Sequence, residues 1–267
     1  MSVSPETPQQ GTQDAPPVSR DAANWATPVS ALKVGNLPQG AVNLNVEGRK
    51  VLSPIQGFGK MWQKTYKVSV GSVVSPEDVI AEWKQNFPMF WPANNFFYGP
   101  VTGIAPGEVA VLNLSMPGKL KLSTGVLVVY ADDESFTLMA PEGHMFAGWI
   151  TFSAYPDAQG NTVAQAQLLI RSNDPIYELG LTFGGHAKED KFWFETLGNL
   201  AKHFGYDSEV EKQIVCVDKK RQWKRAKNVW KNSAVRSGIY MTGAPFRLVA
   251  KPFKRSSSND RDPQQPV

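Results

Sequence analysis

Residues 162–204 read TVAQAQLLIRSNDPIYELGLTFGGHAKEDKFWFETLGNLAKHF. At the start of this stretch Ala164, Ala166, Leu168 and Ile170 alternate with Gln165, Gln167 and Arg171. That period of two is the mark of a strand with one face buried and one in water. The period then changes. Trp193, Leu197, Leu200 and Phe204 fall at i, i+4, i+7 and i+11, an apolar stripe down one side of a helix over residues 188–204, with Gly205 as its stop. A half-buried strand followed by a long amphipathic helix predicts a sheet whose apolar face is covered by that helix.

Upstream, the pattern repeats as strands. Trp62, Tyr66, Val68 and Val70 share one parity, with Gln63, Thr65, Lys67 and Ser69 on the other. Ser75-Pro76-Glu77-Asp78 follows, with Ser75 as N-cap, Pro76 in the first helical position and two carboxylates at the positive end of the dipole. Val79, Ile80, Trp83 and Phe87 then recur at helical spacing, and Pro88 and Pro92 end the helix. Strand patterns over residues 96–104, 109–114, 120–131, 135–140, 144–155 and 162–171 are separated by Ala105-Pro106-Gly107, Pro117-Gly118, Asp132-Asp133-Glu134 and Asp157-Ala158-Gln159-Gly160-Asn161. Short turns between successive strands imply an antiparallel meander. The fold class is therefore α+β: a curved antiparallel sheet of about seven strands wrapped around a long C-terminal helix, with a basic extension beyond it.

This order of strand, helix, six strands and long helix resembles the SRPBCC superfamily, also called START-like or Bet v 1-like, whose architecture is the helix-grip fold. Residues 61–70, 75–91, 96–171 and 188–204 fill its places in order, so the likeness spans about residues 56–206. Ser172-Asn173-Asp174-Pro175-Ile176-Tyr177-Glu178-Leu179, ahead of Lys191-Phe192-Trp193, is similar to bacterial members with no assigned activity. The resemblance implies a deep cavity between sheet and helix that takes lipids, polyketides, hormones or other apolar compounds. Some members are cyclases or hydrolases, but their catalytic residues are not shared, so none carries over.

Domain organisation follows composition. Residues 1–20 are rich in Pro, Gln, Ser and Thr and read as a disordered segment. Residues 21–55 form a strap or linker, 56–206 the helix-grip domain, 207–255 a basic, partly helical extension, and 256–267 a polar disordered tail. No apolar leader and no span of about 20 apolar residues occurs, which predicts a cytoplasmic protein, with peripheral association at a membrane as a further expectation. The single cysteine, Cys216, excludes an intramolecular disulfide and a cysteine-based metal cluster, and its apolar neighbours favour a packed, inert thiol. Neither a metal nor a cofactor is expected. The three histidines lack metal-ligand spacing.

The candidate functional residues fall into three groups. An aromatic surplus, with Trp62, Tyr66, Trp83, Phe87, Trp91, Phe97, Tyr130, Trp149, Phe152 and Trp193, would line an apolar ligand cavity, and Arg171 would receive a carboxylate there. The bland alternative is that the rings fill the core and the arginine makes a loop ion pair. For a cyclase- or hydrolase-type enzyme in the same cavity, His144 and His186 are the acid–base candidates, although no catalytic motif is present. The third group is basic. Twelve Lys and Arg stand against one Asp between Cys216 and Arg255, while the whole chain carries only +4, so the remainder is net acidic. Lys220, Arg221, Lys224, Arg225 and Lys227 surround Trp223 and Trp230 in a segment, residues 219–236, that reads as an amphipathic helix. It would meet an anionic membrane surface or another polyanion, or else dock its Trp face on the domain.

Overall fold

A computed structural model describes residues 22–35, 39–99, 103–116 and 121–242. The segments expected to be disordered, 1–20 and 256–267, lie outside the described residues. The strands are β1 (Met61–Ser69), β2 (Phe96–Tyr98), β3 (Val109–Ser115), β4 (Lys121–Ala131), β5 (Ser135–Met139), β6 (Phe146–Pro156), β7 (Thr162–Ser172) and β8 (Glu211–Asp218). They form one sheet in the order β2-β3-β4-β5-β6-β7-β1-β8, every pair antiparallel. The meander thus runs from β2 to β7, and β1 returns to pair with β7, Met61 opposite Arg171. The eighth strand lies in what reads from sequence as the basic extension. It pairs with β1 and forms one edge of the sheet.

The helices are α1 (Pro76–Gln85), α2 (Pro175–Gly180), α3 (His186–His203) and α4 (Ser233–Thr242). Ser75 caps α1 as its spacing requires, its hydroxyl accepting from the Asp78 N–H. Asp174 caps α2, accepting from the N–H groups of Ile176 and Tyr177. Between α2 and α3 the residues Leu181–Gly185 make a wide π turn, with Gly184 at φ +96°. Only glycine holds that conformation without strain, so this turn re-aims the chain before the long helix starts.

One face of the sheet is covered by helices and the other in part. One face carries α1 and α3 over a core of alternating inward residues, among them Tyr66, Val68, Leu168, Ile170, Phe136 and Phe152, with Trp83, Phe87, Leu197 and Leu200 from the helical side. The other face of β3 and β4 is covered by the strap, where Leu32 and Val46 pack on Val109, Val111 and Leu127. α4 lies against β4 there, and the Ser237 hydroxyl accepts from the Ser123 N–H (3.1 Å). The arrangement is a helix-grip fold with two additions. A strap precedes it, and an extension contributes an edge strand and then wraps round to the far face.

Candidate functional site

The space between the sheet and the helices is the natural place to look for a site, and the chain's own rings occupy it. Phe87 stands edge-on to Trp91, Phe97, Phe136 and Phe152, with centroids 4.9–5.7 Å apart. Trp83 adds an edge-on contact to Phe152 at 5.0 Å, and Trp193 approaches the same ring at 5.8 Å. Edge-to-face pairs of this kind are favourable beyond the area they bury. The two concavities that stand out among the described residues, about 90 and 110 Å³, lie instead on the opposite face, lined by Thr65, Lys67 and Gln213.

Of the residues expected to line a cavity, Tyr66, Trp83, Phe87, Trp91, Phe97 and Phe152 are buried beneath the helices, and Trp62 and Trp193 are partly buried beside them. Three lie elsewhere. Trp149 and Arg171 have the parity opposite to Phe152 and Ile170, so they point to the other face of the sheet. Tyr130 packs its ring on Trp25 of the strap at 4.8 Å and donates to Asp132. Arg171 is buried but takes no part in the interior. Its guanidinium donates to the carbonyls of Gly59 and Lys220 and pairs with Asp218, clasping the end of β8 to the start of β1.

The interior nonetheless holds polar groups. Lys64 shares the parity of Trp62 and Tyr66, so β1 carries it under α3, where it is 1% exposed. Its ammonium donates to Glu189 (2.8 Å) and Asp190 (3.0 Å) of α3. The Tyr66 hydroxyl donates to the same Asp190 oxygen (2.6 Å), and Lys212 of β8 reaches the other one (2.8 Å). Burial would push the Asp190 carboxyl up. The hydrogen bonds from Lys212, Tyr66 and Lys64 outweigh it and hold it at about 2. Burial and the two carboxylates push the Tyr66 phenol upward, so it stays a donor. The sequence reading passed over Lys64, although its parity with Trp62 and Tyr66 was a usable signal. Asp190 carried none, since it stands among other charges at the head of the helix.

The histidines do not converge. His144 is buried in the turn before β6, its Nδ1 accepting from the Phe146 N–H (3.0 Å). Burial pulls it down to about 4, so it is neutral near pH 7. His186 opens α3 under the edge of Trp62 (5.2 Å), with Nδ1 3.7 Å from Glu189. Among the described residues no group of His, Cys, Asp and Glu could hold a metal ion. Five buried polar atoms on this side of the sheet lack a hydrogen-bond partner among the described residues: Trp83 Nε1, Trp91 Nε1 and Thr124 Oγ1 and, at the head of α3, His186 Nδ1 and Glu189 Oε1. Thr124 pairs in register with Leu112, which places it on the helix-facing side.

The basic extension is docked mainly by polar groups, with Trp223 adding one edge-on contact to Phe58. Residues Trp223–Lys231 form a 3-10 helix. At about three residues per turn, positions seven apart are roughly a third of a turn out of line. The shared Trp face expected of an α-helix is therefore not made. Trp223 is 73% and Trp230 84% exposed. Polar groups attach the segment. Asn228 donates to the carbonyls of Gln56 (3.0 Å) and Asn173 (2.9 Å), Asn232 donates to Asp174 (2.8 Å), and Arg221 pairs with Glu178 (2.9 Å). Lys220, Lys224 and Lys227 are exposed, and Arg225 is partly so. Cys216 is partly buried in β8.

No family model matches the sequence, and no curated protein matches it. Solved structures do. The chain is similar to a START superfamily protein from Mycobacterium smegmatis, at 18% identity and TM-score 0.37, over 55% of this chain and 97% of that one. It is similar to the major latex-like protein 151 of Panax ginseng, at 15% identity and TM-score 0.35, over 55% of this chain and 100% of that one. It also matches the di-domain ARO/CYC StfQ of the steffimycin biosynthetic pathway, at 14% identity and TM-score 0.42, over 54% of this chain and 50% of StfQ. The strand order and the long helix lying across the sheet make the fold a helix-grip fold. No helix among the described residues is long and apolar enough to cross a membrane.

Proposed function

We propose that the chain binds an apolar small molecule carrying at least one oxygen acceptor, between the sheet and the helices. The observation that carries this reading is the pair of buried indole N–H groups of Trp83 and Trp91, which have no acceptor among the described residues. A buried donor left unsatisfied costs about 1–3 kcal/mol, and native interiors leave few of them. A guest with a carbonyl or hydroxyl oxygen would satisfy these groups and give the Thr124 hydroxyl a partner. The lipids and polyketides that the family resemblance implies have this chemistry. Because rings occupy the space, binding requires Phe87, Trp91 or Trp193 to turn aside, and the guest replaces their mutual contacts with its own.

Native mass spectrometry of the purified protein, with thermal shifts across fatty acids, sterols and aromatic polyketides, tests the reading. The expected result is a non-covalent adduct or a rise in melting temperature with one class, diminished in Trp83→Phe. The absence of any adduct or shift across the panel would reject it.

A further inference from the structure

We infer that one end of the sheet is a docking surface for a bilayer containing anionic lipid. β1 and β6 begin at this end, and β7 and β8 finish there, so the connectors that flank β1, β7 and β8 meet. They are the 3-10 turn Pro54–Gln56, the helix α2 with its π turn, and the 3-10 helix Trp223–Lys231. The contacts of Asn228 with Gln56 and Asn173, and of Arg221 with Glu178, hold the three side by side. The Trp223 ring rests edge-on against Phe58 at 5.2 Å.

Each connector turns large apolar side chains to solvent. Ile55 is 71% and Phe183 81% exposed, and Ile176 and Leu179 are exposed beside them. Ile176 and Leu179, three residues apart on α2, share one side of that helix, and Phe183 is exposed in the turn that follows it. With Trp223 and Trp230 this makes six large exposed apolar residues at one end of the molecule. Soluble surfaces rarely group such residues without a partner.

Charge identifies the partner. Lys219, Lys220, Lys224 and Lys227 stand among these side chains, exposed, and none has a carboxylate within ion-pair distance among the described residues. A polyanion such as nucleic acid would use the lysines and could stack on the tryptophans, but it offers nothing to Ile55, Ile176 or Leu179. The interface of an anionic bilayer takes all three kinds of group: aliphatic chains below the headgroups, indoles at their level, and ammonium groups at the phosphates. This inference stands apart from ligand binding in the interior and shares no residue with it.

The test uses the full chain with vesicles of phosphatidylcholine alone or mixed with phosphatidylglycerol, read by cosedimentation and by tryptophan emission. Binding is expected only with phosphatidylglycerol, with a blue shift, and should weaken as salt rises because exposed charges are screened. The triple variant Lys220→Glu/Lys224→Glu/Lys227→Glu should weaken binding on the order of a hundredfold. Leu179→Ser/Phe183→Ser, which changes no charge, should weaken it roughly tenfold, and so should Trp230→Ser. These side chains are exposed, so every variant should keep the wild-type melting temperature. No binding to phosphatidylglycerol vesicles at low salt would overturn the inference. So would binding that is unaffected by the apolar variants and is displaced by a single-stranded oligonucleotide, which would mark a general polyanion site instead.

Discussion

Replacing Lys64 with Met should be among the most damaging single changes to this fold. Lys64 is 1% exposed, and its ammonium is the shared partner of Glu189 and Asp190. The two carboxylates differ in what they have left without it. Asp190 keeps Lys212 and the Tyr66 hydroxyl. Among the described residues Glu189 keeps only His186, 3.7 Å away and charged only if protonated. Breaking a buried pair by removing one partner typically costs about 3–5 kcal/mol, because the other charge stays buried and uncompensated. Lys64→Met should therefore lower the unfolding free energy by about 3–5 kcal/mol at pH 7, measured by urea denaturation with the m-value unchanged. Lys64→Met/Glu189→Gln should recover roughly half of the loss, since the stranded charge is gone. A loss under about 1 kcal/mol for Lys64→Met, or a double variant as costly as the sum of the singles, would refute an ionic tie between β1 and α3.

His144 should make stability fall with acid. Its pKa is lowered by burial from 6.5 to about 4, so between those values the unfolded chain binds the proton and the folded chain does not. Unfolding free energy should drop by roughly 3 kcal/mol as pH falls from 6.5 to 4, and His144→Gln should flatten that limb of the curve. Gly143→Ala should loosen the extension, because the added methyl would lie 2.0 Å from the Lys231 carbonyl at a residue with φ +85°. Faster proteolysis after β8, with the sheet intact by circular dichroism, is the expected signature. Arg171→Met should release the same segment from its other end and cost about 3 kcal/mol, since Asp218 and two carbonyls lose their shared donor.

The parts of the fold that follow from burial were legible in the sequence. Alternation marked β1 and β7 because one face of each is dry, and the stripe from Trp193 to Leu200 marked α3 because it lies across the sheet. For β8, the apolar run Ile214-Val215-Cys216-Val217 reads as a packed strand or helix edge, but nothing in it marks a strand of this sheet. Ile214, Val215 and Val217 are all exposed to a substantial degree, so no face of this edge strand had to be apolar, and no period was written into it. The basic segment misled for a related reason. A seven-residue spacing means a common face only at 3.6 residues per turn, and polar clasps by Asn228 and Asn232 fix the tighter winding found there. Counting aromatics also overstated the interior. Trp149 and Arg171 stand on the opposite parity from Phe152 and Ile170, which the sequence already displayed, whereas the packing of Tyr130 on Trp25 joins segments roughly a hundred residues apart and left no local trace.

The place of β1 in the sheet has a consequence for biosynthesis. This strand leaves the ribosome first, yet its two neighbours are β7, whose Arg171 lies roughly 110 residues downstream, and β8, later still. The meander β2–β7 can assemble as it emerges, hairpin upon hairpin, while the apolar side of β1 has no edge to join. Nascent chains that end before β7 must therefore carry Trp62, Tyr66 and Val68 unsheltered. Chains that stop after α3 leave one side of β1 open to any extended segment nearby. Translational pausing or premature termination between residues 70 and 210 is thus the interval in which this polypeptide most needs a chaperone.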